Sequence, residues 1–210
     1  MSTTTTTAHD TATAITSLLR DHGQSDYIGE RISQLAHSLQ CAHLASTHTS
    51  DPDTILAGLL HDIGQFLPEA QVQQLAGEVQ HLRSSDNETG SVGRVGHEDI
   101  GALYLNSLGF SAKVCALVAA HVPAKRYLCA VEPAYHDTLS EASKTSLRLQ
   151  GGPMSEAEVK QWKSGQWSEE MCRLRKWDDE AKVVDLKVPG VEAYDGLIEE
   201  HLEAVGKGQR

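Results

Sequence analysis

Residues 55–66 read ILAGLLHDIGQF. The run is apolar apart from the adjacent pair His61–Asp62 and Gln65. Asp51–Pro52 just upstream supplies a cap and a first-turn proline. The spacing then predicts a helix that buries Ile55, Leu59, Leu60 and Ile63, carries His61–Asp62 and stops near Gly64. Burying an unpaired imidazole and carboxylate there costs on the order of 2–7 kcal/mol per group, a penalty that a bound cation removes. Farther out, His37, His97, His121 and Asp178 bring the set to six imidazole and carboxylate groups. Such donors suit iron, manganese or zinc, whereas four-thiolate sets suit structural zinc. The pattern implies a metalloenzyme.

The flanking chain reads as further helices. Residues 1–9 are Thr-rich and expected to be disordered, and a helix over about 10–22 ends at Gly23. Ile28, Ile32, Leu35, Leu39 and Ala42 recur at three and four, predicting one helical stripe with His37 and Cys41 on the neighbouring one. The polar stretch 67–96 reads as a partly helical insertion followed by a loop over the site. His97 opens a helix with Ile100, Gly101, Tyr104 and Leu108 on one side. Another helix, 111–121, is capped by Ser111 and expected to end near Pro123. TLSE (138–141) and SEAE (155–158) each fit a capping box. A helix over about 168–178 puts Arg175 and Asp178 on one face, 185–190 reads as extended, and a last helix covers about 191–204 before a tail at 205–210. With no period-two alternation, the fold class is all-α: a single helical domain over 10–204 with the metal site in its core.

Composition sets the remaining bounds. The 210 residues are 40% hydrophobic and only 5% aromatic, enough for one domain with a Leu/Ile/Val/Ala core. A net charge of −11, with no basic run longer than two, argues against nucleic acid or an anionic membrane as partner. Cys41, Cys115, Cys129 and Cys172 show no CxxC spacing and read as reduced packing residues. The N-terminal MSTTTTTAHDTATA is neither basic nor apolar, and no apolar run is read as a membrane span, so a cytoplasmic location is expected. His9, His22, His43, His48, His81, His136 and His201 are taken as surface or satisfied core histidines.

The order H…HD…D at His37, His61–Asp62 and Asp178 resembles the HD-domain superfamily, and His97 and His121 resemble the additional ligands of its dinuclear members. The stretches DYIGERISQLAHSLQCA (26–42), LLHDIG (59–64), AHVPAKRYL (120–128), LSEASKTSLRLQGGPMSE (139–156) and KWDDEAKVVDLKVPG (176–190) narrow this further. Together they resemble the small HD-domain mixed-valent diiron oxygenases that cleave carbon–phosphorus bonds, the 2-amino-1-hydroxyethylphosphonate dioxygenase family. The resemblance implies two iron ions, Fe(II)/Fe(III), with Asp62 bridging. His37, His61 and Asp178 would complete one site and His97 and His121 the other. Tyr27 would be a displaceable ligand to the second iron, and Glu30 would receive a substrate ammonium. Lys125, Ser143, Ser146 and Arg175 would grip the phosphonate. Where the family carries a histidine three residues after the aspartate, this chain has Gln65, which can donate a hydrogen bond but carries no charge.

The implied reaction is O2-dependent oxidation at C1 of a small 1-hydroxyphosphonate with an amino or trimethylammonio group on C2. It gives a carboxylic acid such as glycine, plus phosphate. A metal-dependent HD phosphohydrolase acting on a phosphate ester or nucleotide is the main alternative, and a non-catalytic binding protein on the same fold the third. Glu30 and the AKRYL and QGGPM segments favour the oxygenase.

Overall fold

A computed structural model describes residues 7–27, 29–78, 94 and 96–208. Among the described residues twelve α-helices follow one another: α1 Ala8–His22, α2 Gln34–His48, α3 Pro52–Leu60, α4 Ile63–Phe66, α5 Glu69–Glu78, α6 His97–Ser107, α7 Ala112–Val131, α8 Tyr135–Thr138, α9 Glu141–Leu149, α10 Glu156–Lys163, α11 Ser168–Glu180 and α12 Asp195–Gly208. A 3-10 turn, Val191–Tyr194, precedes the last. No strand occurs among the described residues; the single isolated bridge joins Asp26 and Ser33. The all-α reading stands.

The caps explain most of the helix starts. Asp51 accepts from the Thr54 N–H at 3.2 Å with Pro52 in the first turn, Ser111 accepts from Val114, and Ser155–Glu158 closes a reciprocal capping box. The apolar faces then stack. Helix α7 runs through the bundle against α3, α6 and α11, while α2 packs on α3 and α12 on α1. Leu56, Leu59, Leu60, Leu105, Leu117 and Leu174 are fully buried between them. Each contributes about 1.5–3 kcal/mol relative to exposure.

Several boundaries differ from expectation. The helix carrying His37 starts at Gln34, after the Ser33 cap. Residues 23–33 instead form a turn closed by the Asp26–Ser33 bridge, with Gly29 at φ +77, although Ile32 is buried there. Ile28 lies outside the described residues. The predicted single helix over 52–64 divides: α3 ends at Leu60, His61–Asp62 make the joint, and α4 begins at Ile63. Ile55 is only half-buried. Helix α7 continues through Pro123 to Val131, because packing along its length outweighs the lost N–H. By length and mean hydropathy (1.3) it could cross a membrane, contrary to the reading of no such run, yet half of it is buried in the bundle. In TLSE, Ser140 rather than Thr138 is the cap, and Thr138 ends α8.

Thr7 caps α1 in a capping box with Asp10, so helix begins inside the stretch read as disordered. Residues 1–6 are outside the described ones. Within 67–96, α5 is helical, and the expected loop over the site falls on 79–93 and 95, which likewise lie outside the described residues. Helix α12 extends to Gly208, through most of the expected tail. All four cysteines are free.

Candidate metal centre and substrate cavity

The joint between α3 and α4 aims the central residue. Asp62 sits at φ −97, ψ 8, in the sparsely populated bridge region, so its carboxylate leaves the helical path. Helix α2 brings His37, α6 begins with His97, α7 supplies His121 and α11 supplies Asp178. All six groups are buried and fall into two triads, His37/His61/Asp178 and Asp62/His97/His121.

Asp62 faces both triads. Its Oδ1 lies 3.1 Å from His97 Nε2 and 3.6 Å from His121 Nε2, and its Oδ2 lies 3.5 Å from His61 Nε2 and 3.8 Å from His37 Nε2. Each of the four histidines uses Nδ1 on a backbone carbonyl: His37 on Ala181 (2.8 Å), His61 on Gly58 (2.9 Å), His97 on Arg94 (2.9 Å) and His121 on Val118 (2.8 Å). A carbonyl only accepts, so Nδ1 carries the proton and each Nε2 lone pair points inward. Those lone pairs meet in pairs, His37–His61 at 3.0 Å and His97–His121 at 3.0 Å. Two acceptors that close need a cation between them. Asp178 Oδ1 is buried without a hydrogen-bond partner, 3.3 Å from His37 Nε2. The donor set therefore fits two metal ions sharing Asp62.

The electrostatics agree. Burial pushes the Asp62 carboxyl up, but His61 and His97 hold it well below the usual range. Burial likewise works against Asp178, whose carboxyl Arg175 and His37 hold down. His121 is driven to about 3, by burial first and then by His97, so it stays a neutral donor. Burial opposes charge on His61 and His97, yet Asp62 raises both. The carboxylates draw cations, and protons compete with metal for these two rings.

Beside the triads lies a cavity of about 80 Å³ lined by all seven predicted substrate residues: Tyr27, Glu30, Gln65, Lys125, Ser143, Ser146 and Arg175. One water needs roughly 10–15 Å³ on this measure, so the space admits a molecule of a few heavy atoms. Ser143 and Ser146, three apart on α9, face it together. The buried Lys125 ammonium donates to Ser146 Oγ at 2.7 Å, and burial, then Arg175, pulls its pKa down to about 7. Tyr27 stacks on His37 with ring centroids 4.0 Å apart, and burial raises its phenol well above the usual value. Gly29 lets this turn close, since a Cβ there would meet the Ala142 Cβ at 2.7 Å. Glu30 Oε1 is buried without a hydrogen-bond partner. Gln65 Oε1 accepts from the Arg94 N–H at 2.8 Å, which leaves its amide N–H groups uncommitted to that bond.

Sequence reasoning missed several neighbours. Asp179 takes the Nε and Nη2 of Arg175 and the Tyr135 hydroxyl. Lys182 donates to Ser143 Oγ at 3.1 Å, and Gln34 and Gln150 line the cavity. The Asp178–Asp179 doublet, at i+3 and i+4 from Arg175, was the one local signal available. His201 is a satisfied core histidine between Asp53 (3.1 Å) and the Ser111 N–H (3.1 Å), as expected; His81 lies outside the described residues.

The sequence profile of the HD domain matches residues 35–160, well over half of the chain. A hydroxymethylphosphonate dioxygenase of Gimesia maris is 40% identical over 94% of this chain and 90% of its own length. The chain belongs to the HD-domain phosphonate dioxygenases. A second relative in this group, a [1-hydroxy-2-(trimethylamino)ethyl]phosphonate dioxygenase (glycine-betaine-forming) of Leisingera caerulea, is 35% identical over 80% of this chain and 78% of its own. An uncharacterized protein of Acanthamoeba polyphaga mimivirus is also 35% identical, over 90% and 80%. As an HD-domain phosphonate dioxygenase the chain is an oxygenase that cleaves carbon–phosphorus bonds. The phosphohydrolase and non-catalytic readings fall away.

Proposed function

We propose that this chain uses two iron ions, as an Fe(II)/Fe(III) pair, and O2 to convert a small 1-hydroxyphosphonate into a carboxylic acid and phosphate. One O2 balances the change: the C–P bond breaks, and C1 and phosphorus each gain an oxygen. The observation that carries the reading is the shared carboxylate, Asp62, between two histidine-rich triads at one end of a small cation-lined cavity.

His37, His61 and Asp178 would hold one ion and His97 and His121 the other, with Asp62 common to both. When bound, the pair supplies the redox chemistry with O2 and the Lewis acidity that a chelating hydroxyphosphonate needs. The chain's own residues bind and orient. Lys125 and Ser146, joined at 2.7 Å, would take one phosphonate oxygen, and Ser143 another. Arg175 keeps one N–H on each terminal nitrogen beyond those given to Asp178 and Asp179, and both remain available to the anion. Tyr27, stacked on His37, would act as the displaceable ligand that covers the centre before substrate arrives. Gln65 would donate through its amide N–H. This fixed geometry brings C1 to the metals and keeps bulk water out of a site whose ligands are all buried.

Two substrates are in view, with and without a C2 ammonium group. Glu30 Oε1, buried without a hydrogen-bond partner, supports an amino or trimethylammonio ethylphosphonate. The hydroxymethylphosphonate named for the Gimesia maris relative supports the one-carbon compound. Phosphate release from both is measured with iron-loaded protein in air and under anaerobiosis. Release only in air is expected, and release without oxygen overturns the proposal.

A further inference from the structure

A lysine with no assigned role stands directly behind Glu30 and Ser143, two residues that line the cavity. The Lys182 side chain is only 10% exposed. Its Nζ lies 3.8 Å from Glu30 Oε1, 3.9 Å from Asp179 Oδ1, 3.1 Å from Ser143 Oγ and 5.7 Å from the centre of the Tyr27 ring. Carboxylate and aromatic face are the two elements that would recognise a substrate ammonium. Here they already surround a cation of the chain's own.

The backbone holds that cation in place. Gln40, buried in α2, clamps Val183 from both sides: its Nε2 donates to the Val183 carbonyl at 2.8 Å, and its Oε1 accepts from the Val183 N–H at 3.0 Å. Two residues earlier, on the other side of Lys182, the Ala181 carbonyl is tied to His37 at 2.8 Å. Lys182 is thus fixed on both flanks, and its ammonium cannot leave by a shift of the segment.

We propose that Lys182 is a specificity-determining residue that fits the site to a 1-hydroxyphosphonate without a cationic C2 group. The proposal rests on the phosphonate reading above and names the substrate class within it. A substrate ammonium at hydrogen-bond distance, about 2.9 Å, from Glu30 Oε1 would lie within roughly 7 Å of Lys182 Nζ. Both charges would then stand in a largely buried space where salt screens little. A trimethylammonium adds bulk to the same repulsion and offers no N–H. A one-carbon substrate without a C2 cation leaves Lys182 undisturbed beside Glu30 and Ser143.

The test is a binding ratio. Hydroxymethylphosphonate and 2-amino-1-hydroxyethylphosphonate are titrated calorimetrically into the iron-loaded enzyme under anaerobiosis, so that no turnover intervenes. The variants Lys182→Met and Lys182→Gln are measured alongside the parent. The parent is expected to bind the one-carbon compound at least about tenfold more tightly, and both variants to move the ratio toward the amino compound by about tenfold. A merely structural lysine would weaken both ligands alike. Equal changes for both ligands, a parent that prefers the amino compound, or no binding of either overturns the proposal. If phosphate release proves independent of oxygen, the reaction assigned above fails, while the binding ratio still decides Lys182.

Discussion

Arg175 Nη1 donates to Asp178 Oδ2 at 2.6 Å, and that single contact decides which oxygen of Asp178 remains for the metals. The other, Oδ1, is the buried atom without a hydrogen-bond partner. Both residues lie on α11, one turn apart, and the remaining edge of the guanidinium holds Asp179. A lysine cannot reproduce that planar fork. Arg175→Met takes the guanidinium from two buried or half-buried carboxylates, Asp178 and Asp179, and is expected to cost about 3–5 kcal/mol in chemical denaturation. Arg175→Lys is expected to keep the fold but lose at least about tenfold in kcat/KM, because Asp178 is then free to turn.

Asp62 turns one carboxylate oxygen to His61 of the first triad and the other to His97 of its own. Asp62→Asn keeps the shape and removes the charge that draws a cation to both sides. Purified Asp62→Asn is expected to hold clearly less iron than the two ions per chain proposed for the parent, by elemental analysis, with phosphate release at background. Two tightly held ions in that variant would remove Asp62 from the bridging position.

What the amino-acid order made legible followed from local conflict and local caps. His61–Asp62 stood out because two polar groups interrupt an apolar run, and Asp51, Ser111 and Ser155 marked helix starts that the fold uses. What stayed hidden depends on contacts far apart in the chain. Ile32 and Leu35 sit at helical spacing, yet the Asp26–Ser33 bridge and Gly29 turn the chain before α2. Pro123 signalled an end that packing against α3, α6 and α11 overrode. Lys182 meets Glu30 from 152 positions away, and Tyr135 meets Asp179 across 44. No periodicity announces such pairs.

Lys125 gives a pH dependence with a defined sign. Its pKa is lowered to about 7, by burial and then by Arg175. In the free enzyme the ammonium is therefore charged below about pH 7 and neutral above it. A phosphonate anion binds the charged form better, so affinity attributable to this residue falls as pH rises through about 7. Arginine stays charged over this range. Dissociation constants for the parent and Lys125→Arg, measured from pH 6 to 9, are expected to diverge above about 7. Parallel curves would show that Lys125 does not titrate there.

Metal removal should be visible without any assay of turnover. The bound ions would occupy sites built only in the folded chain, so they add stability by mass action: about 4 kcal/mol when free metal stands at 1,000 times its dissociation constant. Chelation is expected to lower the melting temperature by several degrees and restored iron to recover it. The Asp62→Asn protein should respond less. An unchanged melting curve on chelation would mean that the triads do not hold metal under those conditions.

Gly64 tests the link between helix packing and the second triad. A Cβ there would lie 2.0 Å from the His97 carbonyl oxygen and 2.9 Å from its carbon, both backbone atoms that cannot swing aside. Helix α4 and the start of α6 touch through that missing side chain. Gly64→Ala must push the two apart, carrying His97 away from Asp62 Oδ1, now 3.1 Å distant. The first triad draws on α2, the α3–α4 joint and α11, so it is affected less. Gly206→Ala on α12 is the control: its Cβ would meet nothing within 4 Å. There the substitution should leave metal content unchanged and stabilise by about 0.5–1 kcal/mol, the ordinary gain of alanine over glycine in a helix. Gly64→Ala is expected instead to destabilise by about 1–3 kcal/mol, the range for overpacking, and to lose roughly one of the two metal ions proposed for the site. Loss of both ions together, or of neither, would break the connection drawn between this glycine and His97.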